Sequence, residues 1–357
     1  MTQNAAGDDQ ADRQVGARFW NSSGDRSFTR HHGARGGITD LVMDSKDKAL
    51  VTLGKELQAR NYRFTTTTPA THHRVNRRPA SSASPLERVF GWSRPFKPIE
   101  VPKEILDLLE QAEELEAGEG MLRSKVRFSS LGEQLFVHSA FPTEAPDSVF
   151  FGPDTYRFIR ALCVELADIP AGASFAIIDI GCGSGAGGLH AAARMSCRTH
   201  ADVILADINP KALRYSRINA SINGVSSVRT VLSDVFDKIN EGGNLIIANP
   251  PYLVDPSARV YRHGGGALGF DLSIRIVEQS IDRLYPGGRL FLYTGSPVVD
   301  GTDTFFEAVR PRLEARNCRY RYEEIDPDVF GEELESAPYD CVDRIAVVAL
   351  TVHAQKE

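Results

Sequence analysis

The sequence predicts an α/β protein: a doubly wound, mostly parallel sheet preceded by a smaller α+β N-terminal domain. Three observations carry that prediction. From Phe175 onward, short apolar runs alternate with amphipathic stretches of helical period, the pattern of repeated βαβ units. One run, Ile177–Ile180, enters a glycine-rich turn that opens a helix. The chain has 357 residues, 42% of them apolar, enough for two domains or for one large domain with an extension.

Taken in order, residues 1–45 are rich in Asp, Gly, Arg and Ser, and are expected to form a flexible tail. Residues 46–120 are expected to be a substrate-recognition domain. Leu50, Leu53, Leu57 and Tyr62 make one helical stripe there, with Asn61 closing the helix. The prolines at 69, 79, 85, 95 and 98 predict extended pieces and turns from Arg63 to Pro98. A second helix is expected over Pro102–Leu115, ended by Gly118 and Gly120. Residues 121–150 are expected to connect through a hairpin, Lys125–Ser129 with Gln134–Ser139, turning at Leu131-Gly132. The main domain then spans 151–357. Its first helix is expected at Tyr156–Leu166. Strands are expected at Phe175–Ile180, Asp202–Ala206, Val228–Leu232, Leu245–Ala248 and Leu290–Tyr293, with helices near 187–195, 210–221 and 271–284 between them. A helix at 304–316 and two β-rich runs, Arg319–Ile325 and Arg344–Thr351, complete the chain.

Composition excludes several classes. The longest apolar runs, such as Ile345–Leu350, are far shorter than the roughly 20 residues of a membrane span. The first twenty residues are polar and read as no secretory signal. Five scattered cysteines without CxxC spacing argue against a disulfide framework or a zinc site, so no metal is expected and a cytoplasmic location is. Net charge is −6, yet residues 1–100 carry sixteen Lys/Arg against ten Asp/Glu. Between Arg60 and Lys97 stand eight basic residues and one Glu, interleaved with aromatics. Such a stretch suits either nucleic acid or the solvated face of a small core.

The motifs cluster at expected strand ends. After Asp179 and Ile180, Gly181, Gly183 and Gly185 let backbone N–H groups approach a ligand, and the helix N-terminus favours a carboxylate or phosphate. Asp207, followed by Ile208, ends the second strand, where a carboxylate can accept both ribose hydroxyls. Asp234, followed by Val235, ends the third and can receive an adenine amino group. Those acids outline a nucleoside without separating NAD from S-adenosylmethionine. Asn249-Pro250-Pro251-Tyr252, after the fourth strand, makes the separation. Two prolines stiffen the turn, carbonyls and the Asn oxygen accept the hydrogens of a planar NH2 group, and Tyr252 offers a flat face. Hydride transfer has no use for that clamp. His263, in the glycine-rich segment Tyr261–Gly266, is placed to orient an acceptor as the loop closes. Phe150–Thr155 marks the domain entrance, and Tyr293–Ser296 is a candidate pocket floor or a plain strand–loop junction.

On these motifs, residues about 150–352 resemble the class I S-adenosylmethionine-dependent methyltransferases of the small-domain group that bears Asn-Pro-Pro-Tyr. The resemblance implies a seven-stranded Rossmann-like sheet whose last strand is antiparallel. It implies S-adenosylmethionine as cofactor, held by Asp179, Gly181, Gly183, Gly185, Asp207, Ile208, Asp234, Val235 and Asn249. Catalysis would fall to Asn249, Pro250 and Tyr252, with Pro251, Tyr252 and His263 on the substrate. Within the group, Ala267-Leu268-Gly269-Phe270-Asp271-Leu272 is similar to the segment that follows the motif in release-factor glutamine methyltransferases. The acceptor stays open among a protein glutamine amide, a nucleic-acid base amine and a small-molecule amine. A non-catalytic cofactor-binding subunit is the alternative of another class.

Overall fold

The computed structural model describes residues 43–354, apart from 80–82, 119, 168, 170–173, 197, 198, 256–258 and 260; the expected N-terminal tail lies outside the described residues almost entirely. Helix α1 (Ser45–Ala59) is capped by Asp44, whose carboxylate accepts from the Asp47 N–H at 2.8 Å. Leu50, Leu53 and Leu57 share its buried face. Tyr62 lies beyond the helix end, but its ring joins the same core and its hydroxyl donates to the Phe128 carbonyl.

Two expected turns are helices instead: α2 (Pro69–Asn76) and α3 (Pro85–Phe90). Each begins with a side-chain cap, Thr68 or Ser84, followed directly by proline. At a helix's first position proline costs no hydrogen bond and presets φ, so those prolines start helices rather than break them. Helix α4 (Lys103–Gln111) stops short of the expected Leu115. Leu115 opens strand β1 (Leu115–Gly118), which pairs antiparallel with β2 (Met121–Ser124), so Gly118 and Gly120 belong to a hairpin. β3 (Val126–Leu131) and β4 (Gln134–Ser139) form the expected hairpin around Gly132, whose φ is +58°.

The alternating region follows as α5 (Pro153–Ala167), β5 (Ser174–Ile180), α6 (Ala186–Met195), β6 (His200–Asp207), α7 (Pro210–Ile222), β7 (Val228–Leu232) and β8 (Gly243–Ala248). It continues through α8 (Asp271–Ile281), β9 (Leu284–Val299), the two-residue β10 (Thr302–Asp303), α9 (Thr304–Ala315), β11 (Arg319–Asp326) and β12 (Arg344–His353). The strands lie in the order β11-β12-β9-β8-β5-β6-β7, with β10 paired to β9. β9, β8, β5, β6 and β7 run parallel, and β12 is antiparallel to both neighbours. The seven-stranded sheet with a reversed last strand is therefore present. β9 is much longer than the expected Leu290–Tyr293, because pairing of Arg289–Val298 with β12 carries it through Gly295, Ser296 and Pro297.

Alternate residues feed opposite faces of the sheet. Ile177, Val203, Leu245 and Ile247 pack with α5 and α6, whereas Ile178, Ile180, Ile246 and Leu292 pack with α8 and α9. A third cluster joins α1, α4, β3 and β4 to Ala212, Tyr215, Ile218 and Ile222 of α7. Asn219 of α7 and Asn223, just past its end, extend this seam with main-chain-like bonds. Asn219 both accepts from and donates to Val137, and Asn223 does the same with Leu135. Among the described residues no helix is long and apolar enough to cross a membrane, and no group of three His, Cys, Asp or Glu is placed to hold a metal.

Arg214 of α7 bridges the buried carboxylates of Asp47 (2.6 Å) and Glu114 (2.8 Å). Removing it leaves two buried acids without their shared cation. Arg214→Ala is expected to lower unfolding free energy by about 3 kcal/mol in urea titrations.

Candidate active site

The register of three strands assembles the site. Ile180 of β5 stands opposite Ala206 of β6 on one side and Ala248 of β8 on the other. The next residues, Gly181, Asp207 and Asn249, therefore stand at one level along the carboxyl edge of the sheet. A cavity of about 920 Å³ opens there, lined by residues of the glycine loop, the β6 and β7 ends, the Asn249–Tyr252 turn and the 261–265 segment.

The glycine loop is shaped by backbone demands. Gly181, Gly183 and Gly185 all have positive φ, at 67°, 53° and 78°. A Cβ on Gly181 or Gly183 would stand in open space, so these two leave the cavity wall bare for a ligand. Gly185 is different: it caps α6, does not line the cavity, and would crowd Leu189 and Ser216 if substituted. Gly181 and Gly183 thus face the cavity, as expected, while Gly185 acts on the packing of the helix behind it. Cys182 is buried and its thiol is pushed up in pKa, chiefly by burial, as suits a packing residue.

Asp179 and Asp207 are both buried on the cavity wall. Asp179 accepts from the Gly188 N–H at 2.7 Å, and burial, reinforced by the nearby Asp207, pushes its carboxyl up to about 7 against that bond. Asp207 is also raised by burial, opposed by the Asn209 and Gly183 N–H groups, each 2.9 Å from one oxygen. The Ile208 N–H also bonds to this carboxylate, which leaves part of its acceptor capacity open for a further donor. Ile208 is half exposed and supplies apolar wall, and Val235, with φ of 46°, lines the cavity at the end of β7. Asp234 is also at the cavity, but Arg275 engages both its oxygens.

Asn249, Pro250, Pro251 and Tyr252 all line the cavity. Tyr252 is only 5% exposed: its ring lies against Gly295, where a Cβ would come within 2.2 Å of it, and edge-on to Phe330. Behind this turn stands a residue the sequence reading left out of the site, Asp154. It is buried at the start of α5, accepts from the Tyr293 hydroxyl at 2.8 Å, and lies close to the side chains of Asn249 and Tyr252. Burial raises its pKa while those donors oppose the rise. The signal available in the sequence was a lone acid right after Gly152-Pro153. Tyr293 supports Asp154 from behind, and the 293–296 run does not itself line the cavity. Of its two readings, pocket floor or plain strand–loop junction, the second is the nearer, with strand β9 carried on through the run. Thr294 turns instead to Ser273 at 2.7 Å.

His263 lines the cavity, and its Nδ1 accepts from the Asp255 N–H at 3.2 Å. Its segment was expected to be a free closing loop, and the structure shows it tied down. Asp255, held far below the usual carboxylate range by Arg259, grips that guanidinium; Arg262 pairs with Glu333; the Tyr261 hydroxyl donates to the Thr143 carbonyl. Gly264 makes the closest approach: a Cβ there would fall 1.8 Å from the Gly269 carbonyl and 2.5 Å from that of Pro251. The glycines at 264 and 269 therefore press this segment against the Pro251–Tyr252 backbone.

The raised Asp179 carboxyl has a consequence for stability. Its folded pKa, about 7, exceeds the unfolded value near 4, so its contribution is greatest below pH 4 and is lost as pH rises to 7. Asp179→Asn removes that loss. Between pH 5 and pH 7.5, urea unfolding is expected to shift in the variant's favour relative to the parent protein.

Comparisons with known proteins bear on this geometry. A family model, the methyltransferase small domain, matches residues 162–299. A release factor glutamine methyltransferase of Chlamydia trachomatis serovar L2 is 33% identical over 141 residues, 36% of this chain and 47% of the relative. A ribosomal RNA small subunit methyltransferase C of Hamiltonella defensa is 32% identical over 131 residues, 37% of this chain and 34% of the relative. Among solved structures, a 16S rRNA methyltransferase of T. thermophilus, in complex with AdoMet and guanosine, is 17% identical with a TM-score of 0.42, covering 71% of this chain and 62% of that one. The matched part spans at most about half the length of these two curated relatives. Residues 162–299 of this chain, which include the glycine loop, Asp207 and the Asn-Pro-Pro-Tyr turn, thus match the methyltransferase small domain.

Proposed function

We propose that this protein is an S-adenosylmethionine-dependent N-methyltransferase acting on a planar amide or amino nitrogen of a protein or nucleic acid. The observation that carries the reading is the Asn249–Tyr252 turn on the wall of the same cavity as the glycine loop and Asp207. The residues present fit the cofactor. Gly181 and Gly183 leave open wall for its amino-acid part, Asp207 keeps acceptor capacity for ribose hydroxyls, and Ile208 with Val235 offers apolar surface to adenine. When bound, S-adenosylmethionine supplies a methyl group on a cationic sulfur.

The chain's own residues do the rest. A carboxylate only accepts hydrogen bonds, so Asp154, close to Asn249, favours the amide orientation with its NH2 toward that acid. The Asn249 oxygen is then directed to the acceptor's N–H, and the Pro250 carbonyl supplies a second acceptor. Two fixed acceptors hold the nitrogen's hydrogens, keep its lone pair pointed into the cavity and stabilise positive charge as it develops on N–H. Fixing the reacting groups in a near-attack arrangement contributes about 7–11 kcal/mol in favourable cases. Tyr252, wedged by Gly295 and Phe330, stiffens the turn and presents its ring edge or face to the acceptor. Residues 46–120 supply acceptor recognition, and the free state of the four described cysteines suits a cytoplasmic setting.

The direct test is incubation with tritiated S-adenosylmethionine and cell lysate, with label fractionated into protein, RNA, DNA and small molecules. Absence of transfer into every fraction counts against the reading. Asn249→Ala is expected to lower kcat on the order of 10²–10³-fold with cofactor affinity almost unchanged, measured as initial rates beside calorimetric titration. Asp207→Ala should weaken cofactor binding by about 1.5–3 kcal/mol, partly by releasing the Gly183 and Asn209 N–H groups. Equal affinity in calorimetry would remove Asp207 from the ribose role.

A further inference from the structure

We propose that α2 and the aromatic rim of the cavity together dock an unpaired segment of RNA, an inference that rests on the methyltransferase reading and names its acceptor class. Of the eight basic residues between Arg60 and Lys97, half are engaged within the fold. Arg60 pairs with Glu56, Arg63 with Glu133 and Arg88 with Glu100, while Arg94 donates to Asn76 and the Val75 carbonyl. Arg74, Arg77 and Arg78 are exposed on α2 and just beyond it, and make no ion pair among the described residues. Helix α2 carries no acid, and the one acid between Arg60 and Lys97, Glu87, serves the Ser84 cap. One cation near a helix C-terminus complements the macrodipole; three exceed that need.

This basic end is joined to the cavity mouth. The His72 and His73 rings lie 4.1 Å and 5.0 Å from Phe141. Two residues on, the Thr143 carbonyl takes the Tyr261 hydroxyl at 2.6 Å. Tyr261 lines the cavity and stands parallel to Phe150, with centroids 6.1 Å apart and planes within 4°. Phe150 is 37% exposed, so part of its ring stays open to solvent at the cavity rim beside Tyr261. Guanidinium groups on one side and a flat aromatic face on the other are the two elements that hold a single strand, by its phosphates and by a stacked base. A folded RNA presents loop bases already unstacked, whereas duplex DNA must first expel one. An acidic peptide would use the arginines and leave Phe150 without a role.

The test uses the full chain and a fluorescein-labelled, unstructured RNA of about 20 nucleotides, followed by anisotropy across salt concentrations. Replacing Arg74, Arg77 and Arg78 together by alanine should weaken binding roughly tenfold or more at 0.1 M salt, and lower the slope of log affinity against log salt by about 2. A charge-matched control, alanine at the ion-paired Lys103, Arg229 and Arg312, should bind like the parent. Phe150→Ala should weaken binding about fivefold or more while leaving the salt slope in place. Unchanged RNA affinity in the arginine variant, or equal competition by duplex DNA, overturns the proposal. So does label from tritiated cofactor entering protein at the same rate in parent and arginine variant. Cofactor titration on the same samples separates the two readings: cofactor binding without RNA binding sinks the dock alone, and RNA binding without cofactor binding sinks the methyltransferase reading while the surface stands.

Discussion

Everything at the cavity depends on the pairing register of β5 with its two parallel neighbours. Ile180 is matched to Ala206 and to Ala248 at once, so Gly181, Asp207 and Asn249 stand at the same height. A slip of one residue on β8 would turn Ile246 and Ala248 from the α8 and α9 face to the other and carry Asn249 out of the cavity with them. Burial on both faces is what forbids that slip. The close seat of α6 adds to it: a Cβ on Gly188 would reach 2.7 Å from Leu205 and 3.1 Å from Asp179, so the helix lies directly on β5 and β6. Position of the glycine loop is thus a by-product of core packing, and its open wall at Gly181 and Gly183 is available because other glycines absorb the crowding.

Three buried carboxylates, Asp154, Asp179 and Asp207, share that wall, and burial raises the pKa of each. Retaining them costs stability in the ligand-free protein, a pattern expected where local rules give way to a site. Apolar surroundings also focus the field of any that ionise into the cavity. A ligand bearing positive charge next to adenosine would relieve that cost, whereas a dinucleotide's pyrophosphate would add to it. The electrostatics of the wall are compatible with a sulfonium cofactor, while the separation from a dinucleotide rests on the Asn-Pro-Pro-Tyr turn.

Much of this was legible in the sequence, for definable reasons. Strand and helix periods in the alternating region are set by burial on two faces, which leaves a clear mark in Ile177–Ile180 or Leu245–Ala248. Where local and long-range signals competed, reading failed. Pro69 and Pro85 looked like breakers because their effect depends on the cap before them, Thr68 and Ser84. Leu115 fitted the helical stripe of α4 yet is claimed by β2, and the length of β9 is decided by β12, some fifty residues later. Asp154 was hidden because its partners, Asn249, Tyr252 and Tyr293, are all about a hundred residues or more away in sequence. The glycines at 264 and 269 read as looseness, whereas the structure uses them for contact too close for any side chain.

The N-terminal elements are fastened to the main sheet through α7. α7 begins immediately after Asp207 and Ile208, capped by Asn209, whose amide also donates to the Asp147 carbonyl at 2.8 Å. Its outer face carries Arg214 into the Asp47–Glu114 pair and Asn219, with Asn223 just past its end, into the backbone of β4. One helix therefore links the expected ribose acid to α1, to β4 and to the loop that leads through Ser148 and Val149 to Phe150. Buried ion pairs and satisfied backbone bonds of that kind resist hinge motion. An acceptor gripped by α2 and Phe150 would thus be held in a fixed frame with the cofactor wall. Selectivity would then come from the shape of the mouth between Phe150, Tyr261 and Asn249, with no swinging domain needed to bring the two together.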